Sequence, residues 1–169
     1  SIGTAMGMPV YTAVSFLEAL SYSGTVFISN TTSFTVGFAG GAFAALGALN
    51  TLGLATAGAN AAGLAATNAG ADITFVEAAT AGATGSFTAT AHSLAIGAAI
   101  TGNGGIALYP NADGLGIALS DGPGAFSLTL AELNLLVSTG TLTIGLTAGV
   151  GSSNAIAIGS LAAVDLSSR

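Results

Sequence analysis

His92 and seven carboxylates are the side chains of this sequence best suited to acid–base catalysis. A catalytic triad needs a nucleophile beside the histidine and a carboxylate that orients the ring. No nucleophile-elbow motif is present, and the carboxylate nearest to His92 in sequence is Glu77. We therefore predict that the chain is not an enzyme and that His92 is a packed or solvent-facing strand residue. The carboxylates lie far apart, at Glu18, Asp72, Glu77, Asp113, Asp121, Glu132 and Asp165.

Two of these carboxylates are candidates for a calcium site. Asp113 and Asp121 lie in adjacent predicted turns, with Asn103 and Asn111 nearby, and Ca²⁺ takes carboxylate and carbonyl oxygens as ligands. Both aspartates precede glycine, which is typical of ordinary turn residues, and no dense acidic loop surrounds them. We therefore predict no bound metal or cofactor, and Asp113 and Asp121 are the candidates should calcium bind.

Two links to carbohydrates are relevant to this sequence, glycoside hydrolysis and N-glycosylation. Glycoside hydrolysis needs two carboxylates held across a cleft, and the scattered acids make a polysaccharide-processing enzyme the least favoured interpretation. Asn30-Thr31-Thr32 is a sequon for N-glycosylation in a host that glycosylates.

The charge balance excludes several partners. The net charge is −6 and Arg169 is the only basic residue. Nucleic-acid binding relies on Lys and Arg that neutralise phosphates, so we exclude it, and polybasic attachment to anionic lipid is excluded for the same reason. The chain has no cysteine, so it has no disulfide framework and no thiolate chemistry.

The mean hydropathy of +0.83 is high for a chain that we expect not to span a membrane. A transmembrane helix needs roughly 20 consecutive apolar residues. The most apolar stretch, residues 42–54, is shorter than that and has no basic flank. The hydropathy comes instead from small aliphatic residues diluted with 26 glycines and many hydroxyls.

A recurring five-residue unit organises the chain. It has a small residue, a large apolar one, Thr or Ala, a β-branched one, and Gly. This alternation predicts a strand with its large residues on one face and a turn at the glycine. The unit occurs at residues 33–37, 93–97, 141–145 and 155–159.

Turn signals separate these units about every ten residues. A second repeat, Gly-Ile-Ala-Leu, occurs at residues 105–108 and again at 116–119. Asn or Asp before Gly near residues 103, 113 and 121 supplies the positive φ angles of tight turns. We predict one all-β domain over residues 1–169, a β-solenoid of stacked rungs, with a β-sandwich as the alternative.

Three stretches depart from this pattern. Ser15-Phe16-Leu17-Glu18 and Thr129-Leu130-Ala131-Glu132 have capping-box spacing, which predicts short helices near residues 9–20 and 129–137. Residues 1–20 and the Ala-rich residues 42–70 are predicted to be irregular or to serve as strand-exchange segments in assembly.

Residues 126–134 with residues 139–145, and residues 24–37 in a second place, resemble the repeat units of filamentous-haemagglutinin-like and autotransporter-type bacterial exoproteins. The likeness covers residues 86–160 best and is absent from residues 1–20 and 42–70. It implies a right-handed β-helix that is extracellular, rod-like and non-catalytic.

These observations predict an extracellular structural protein that self-assembles into a surface fibre for adhesion or biofilm matrix. Its partners would be copies of itself, because a charge-poor strand edge leaves little to prevent pairing. The alternative is a monomeric module that binds a glycan or ice with one flat face.

Overall fold

The computed structural model describes residues 10–12, 16–17, 19–22, 25–37, 52–56, 58–120, 124–145 and 156–158. Side chains are described for residues 25–37, 54–56, 58–120 and 124–145. Within these ranges the chain forms eighteen short strands and one short helix, numbered below in chain order. The prediction of an all-β fold is therefore confirmed.

Sheet A is the largest sheet and runs through the whole described chain. Each neighbouring pair of strands in it is parallel. Its strands, in spatial order, are β1 (Val10–Thr12), β4 (Val26–Asn30), β7 (Ala62–Ala66), β10 (Phe87–Ala91), β13 (Ile106–Pro110) and β17 (Leu142–Ile144).

Sheets B and C are also parallel and accompany sheet A. The strands of sheet B are β2 (Phe16–Leu17), β5 (Phe34–Val36), β8 (Ile73–Phe75) and β11 (Leu94–Ile96). Those of sheet C are β3 (Ala19–Tyr22), β6 (Leu52–Thr56), β9 (Ala78–Thr80), β12 (Ile100–Thr101) and β16 (Leu136–Val137).

Sheet D and the helix belong to the C-terminal third of the chain. Sheet D has the order β15 (Phe126–Leu128), β14 (Ile117–Leu119), β18 (Ile156–Ile158), again with parallel pairs. The helix α1 (Leu130–Leu133) follows β15 directly and leads to β16.

The chain visits sheets A, B and C in turn, and one such circuit is called a rung below. Rungs one to four are β1–β2–β3, β4–β5–β6, β7–β8–β9 and β10–β11–β12. Ala62 lies opposite Phe87, and Phe87 opposite Ile106, so these two rungs advance by 25 and 19 residues. Parallel sheets visited in this order fit a β-helix and do not fit the antiparallel sheets of a β-sandwich.

Alternation along each strand builds the core. The middle residues of β5 and β11, Thr35 and Ala95, are partly or fully exposed, whereas the residues on either side of them are buried. Phe75 and Phe87 meet edge to face in the interior, with ring centroids 6.0 Å apart. The five-residue units at 33–37, 93–97, 141–145 and 155–159 each contain a three-residue strand, as predicted.

Glycines let consecutive rungs approach at the corners. A Cβ at Gly85 would overlap the carbonyl oxygen of Asn60, one at Gly104 would overlap the carbonyl oxygen of Thr84, and one at Gly140 would lie 2.7 Å from the amide nitrogen of Gly105. These turns therefore stack backbone on backbone, which only a residue without a side chain permits.

The prediction of a helix near residues 9–20 is wrong. These residues contribute β1, β2 and part of β3, which pair in parallel with β4, β5 and β6. The aromatic and β-branched residues Val10, Tyr11 and Phe16 suit strands, and ladder pairing outweighs a capping-box spacing.

The helix predicted over residues 129–137 is real but much shorter. Thr129 caps α1, and its side chain and that of Glu132 bond to each other's backbone N–H as a capping box requires. The helix ends at Leu133, because Leu136 and Val137 pair with β12 as strand β16.

The prediction for residues 42–70 is also partly wrong. Residues 52–56 and 62–66 form interior strands, and β7 lies between β4 and β10 in sheet A. Every residue of β7 is buried, because alanine and glycine are small enough to pack on both faces of an interior strand. Residues 42–51 lie outside the described residues, and a role of residues 42–70 in strand exchange stays a prediction.

Candidate assembly edge and polar groove

His92 pairs with Asp72 and not with Glu77. The distance between its Nδ1 and Asp72 Oδ1 is 3.2 Å, and the two side chains are 34% and 48% exposed. The register that aligns Ile73 with Leu94 places His92 opposite Ala71, and the His92 N–H donates to the Ala71 carbonyl. Among the described residues no hydroxyl bonds to the His92 ring.

Of the other described carboxylates, Glu132 accepts backbone N–H groups and Glu77 packs against a glycine. Glu132 Oε1 accepts the backbone N–H of Ile96 at 2.9 Å, and its Oε2 accepts from the N–H and the hydroxyl of Thr129. Glu77 packs against Gly37, whose φ of +90° only glycine adopts easily. The part of the chain with described side chains has no group of three or more His, Asp or Glu residues that could hold a metal.

The calcium candidates are not brought together by described contacts. Asp113 is exposed in the turn after β13, and Asp121 lies outside the described residues, as do Glu18 and Asp165. Asn111 instead ties two corners together, since its Nδ2 donates to the carbonyls of Ala66 and Asn68. Asn103 contributes its carbonyl to a bond from the Thr139 hydroxyl.

The glycosylation sequon is folded into a corner. Asn30 is 0% exposed, and its Nδ2 donates to the carbonyl and the hydroxyl of Thr32. Thr67 donates to the Asn30 carbonyl from the next rung. A glycosyltransferase could therefore reach the Asn30 amide only before this corner folds.

The inward side chains of sheet A form two columns across its strands. The register stacks them in the orders Val26, Ala62, Phe87, Ile106, Leu142 and Ile28, Leu64, Ala89, Leu108, Ile144. Through β4, β7, β10 and β13 these side chains are at most 5% exposed. At β17 both columns end in partly exposed side chains, Leu142 and Ile144.

Apolar exposure is concentrated near this end of the sheets. Of the described large hydrophobic residues, two are classed as exposed: Val137 at 49%, on the last strand of sheet C, and Leu130 at 37%, on α1. Neither β16 nor β17 contains a charged residue. No strand of the described residues lies on the outer side of β17. We call this side, with the partly exposed Leu142 and Ile144, the assembly edge.

A polar groove crosses the outer face of sheet A beside the assembly edge. Its volume is about 270 Å³, and none of its lining side chains is charged. The hydroxyls of Ser86, Thr88, Thr141 and Thr143 form no hydrogen bond with the described residues, so they are available to a ligand. The lining residues are Ser86, Phe87, Thr88, Gly104, Gly105, Ile106, Ala107, Thr141 and Thr143.

No protein-family model, curated protein or solved structure matches this chain. The described ranges also hold no helix long and apolar enough to cross a membrane.

Sequence reasoning missed three of these features. The Asp72–His92 pair depends on the 21-residue step from Ile73 to Leu94, which the recurring units at 33–37 and 93–97 do not reveal. The role of Glu132 at Ile96 was hidden, because the capping box accounts for that residue locally. The groove combines residues from three strands, and its only sequence signal was the repeated Thr-x-Thr at residues 88–90 and 141–143.

Proposed function

We propose that this chain is an extracellular structural protein, a subunit or segment of a surface fibre that assembles from copies of itself. The observation that carries the proposal is the assembly edge, where two buried apolar columns reach the surface on a strand without charge. Natural proteins protect strand edges with charges, prolines or covering elements. The described part of β17 has no charge and no proline.

The finer fold that we propose is a right-handed β-helix. Sheets A, B and C are parallel and are visited in a fixed order, and crossover connections between parallel strands are right-handed in nearly all proteins. Such a rod suits a fibre, because its length grows by one strand spacing per rung. The resemblance to β-helical exoproteins supports an extracellular place and a role in adhesion or biofilm matrix.

The test of this proposal is electron microscopy of the protein as isolated from its natural source, without refolding. Regular filaments that contain this chain are the expected result. Sedimentation of the same preparation over a hundredfold range of concentration should show material larger than a monomer throughout. Isolated short particles in micrographs, with a single monomer boundary at every concentration, would overturn the proposal.

The polar groove favours a second candidate function, binding of a neutral glycan. Four unpaired hydroxyls and bare glycine backbone suit a ligand rich in hydroxyls, and the lack of charge disfavours an ionic one. Ala107 lies between Thr88 and Thr143 in their shared column, so neighbouring strands do not present the threonine ranks of an ice-binding face.

This candidate is tested by retention on immobilised neutral polysaccharides. A double variant with valine at both Thr88 and Thr143 keeps the branched shape and removes the hydroxyls. Its retention should be at least tenfold lower than that of the parent protein. The matched control is Thr90→Val, on the same strand and opposite Tyr109 outside the groove, which should leave retention unchanged. Equal retention by all three proteins would exclude the groove as the binding site.

A further inference from the structure

One hydrogen-bond pattern repeats along sheet A. The inward residue that opens each interior strand donates its N–H to the carbonyl of the residue just before the next strand: Val26 to Ala61, Ala62 to Ser86, Phe87 to Gly105, and Ile106 to Thr141. Distances are 2.9 to 3.1 Å. Because alternate residues of a strand bond to opposite neighbours, Leu142 and Ile144 of β17 direct their N–H and C=O groups to the open edge.

The other end of sheet A carries the complementary edge. β1 is the first strand of the sheet and β17 the last, and every strand between them is parallel to both. Val10 lies opposite Ile28, so it stands at the start of the same column that ends at Ile144. A second copy placed with its β1 on β17 would therefore continue both the ladder and the column.

We infer that the assembly edge binds β1 of a second copy of this chain, in parallel and head to tail, with Ile144 opposite Val10 of that copy. This inference rests on the proposed function, and it specifies which surfaces meet. The two surfaces differ, so the contact is heterologous and repeats without closing, which produces an open filament. Ile144 would become covered, as its counterpart Leu108 is within the chain.

The absence of cysteine from the chain permits a test with two single-cysteine proteins, Thr143→Cys and Tyr11→Cys. In the inferred register Tyr11 of the second copy lies opposite Gly145, two residues from Thr143, roughly 8 Å away from strand spacing and rise. A short bis-maleimide should join the two proteins when they are mixed. Neither protein alone should form a cross-linked dimer beyond the level seen at low concentration.

The outcomes separate this inference from the proposed function. Cross-linked heterodimers from the mixture alone support head-to-tail pairing. Cross-linked dimers of Thr143→Cys alone would indicate that two assembly edges meet, and would overturn the inference. Filaments that give no cross-link in any combination would overturn the inference and leave the fibre function intact. Absence of any oligomer would overturn both.

A pair of charge variants supplies the second measurement. Ile144→Lys places an ammonium in a column that pairing would bury, and inward charge is a natural means of blocking an edge. In the monomer this lysine reaches water, because position 144 is partly exposed. We expect at least a hundredfold rise in the concentration needed for assembly, with an unchanged circular dichroism spectrum.

Thr143→Lys is the matched control, since it adds the same charge to the same strand on its exposed outer face. Its effect on the assembly concentration should be at most a few-fold. Equal effects of the two variants would show that net charge, and not the covered column, controls assembly, and would overturn the inferred surface.

Discussion

Strands β10 and β17 occupy the same sheet, share one register and follow the same alternation, yet they face different surroundings. Phe87 and Ala89 of β10 have a strand on each side and are 0% exposed, whereas Leu142 and Ile144 of β17 have one neighbour among the described strands and remain partly exposed. The difference arises from position in the stack, because no charge, proline or bulge distinguishes β17. A rung of this chain is therefore suited to be covered by another rung, from the same chain or from a second copy.

The largest expected effect contrasts the two strands directly. Phe87→Ala removes a fully buried ring that contacts Phe75, and it should lower the free energy of unfolding by about 3 to 5 kcal/mol. Leu142→Ala, in the same column at the uncovered end, should cost only about 1 kcal/mol in the monomer. Urea unfolding followed by circular dichroism measures both. Equal costs would mean that β17 is as well covered as β10.

The next effect concerns how closely interior rungs stack. Gly85→Ala would place a Cβ on the carbonyl oxygen of Asn60 in the preceding turn, so the two rungs must separate, at a cost of about 3 kcal/mol. Gly114→Ala is the control, because a Cβ there meets nothing within 4 Å and only its φ of +76° is unfavourable, which costs about 1 kcal/mol. Thermal unfolding compares the two; a reversed order would contradict close stacking at this corner.

A third prediction contrasts a capped edge with the open one. β11 is the last strand of sheet B, and Glu132 accepts the Ile96 N–H there. Glu132→Ala removes this acceptor and the capping box together, and should cost about 2 kcal/mol. Hydrogen exchange should show faster exchange at the Ile96 amide.

Glu132→Gln keeps a side-chain oxygen for Ile96 and should retain most of the stability and protection. If both variants exchanged Ile96 at the parent rate, the carboxylate would not be protecting that edge.

The smallest effect is expected at the surface of a rung. Asp72→Asn weakens the attraction to His92 between two partly exposed groups, and surface pairs contribute at most about 1 kcal/mol. The Asp72 backbone N–H still donates to the Ser33 hydroxyl. Chemical denaturation gives the free energy of unfolding of Asp72→Asn. The control is Asp113→Asn, which makes the same change at an exposed turn residue. A loss above 1 kcal/mol would assign the pair a structural role.

Local patterns predicted the strands well where alternation was clear. Phe34–Val36 and Leu94–Ile96 were recognisable because large residues flank a small one and a glycine ends the unit. The capping box at Thr129 was recognisable because its two bonds lie within four residues. The same spacing at Ser15 wrongly predicted a helix. Val10 and Phe16, on either side of Ser15, form strands because they pair with residues 18 or 19 positions away in β4 and β5.

The candidate site was less predictable than the fold. Thr88, Ala107 and Thr143 are neighbours only because β10, β13 and β17 share a register with steps of 19 and 36 residues. Unequal steps leave no fixed period in the sequence. Asn30 shows the same limit: its sequon is visible in the sequence, and its burial depends on a corner formed with the next rung.

Composition and alternation by themselves determined that this chain is charge-poor and rich in short strands, because these properties depend on residue type and on neighbours one or two positions away. Only the tertiary structure decided which strands are interior, which carboxylate meets His92, and where the apolar columns reach the surface. In sheets A, B and C these outcomes depend on parallel pairing between residues 18 to 39 positions apart. The loops between paired strands differ in length, so the same local sequence can lie beside different residues in different rungs.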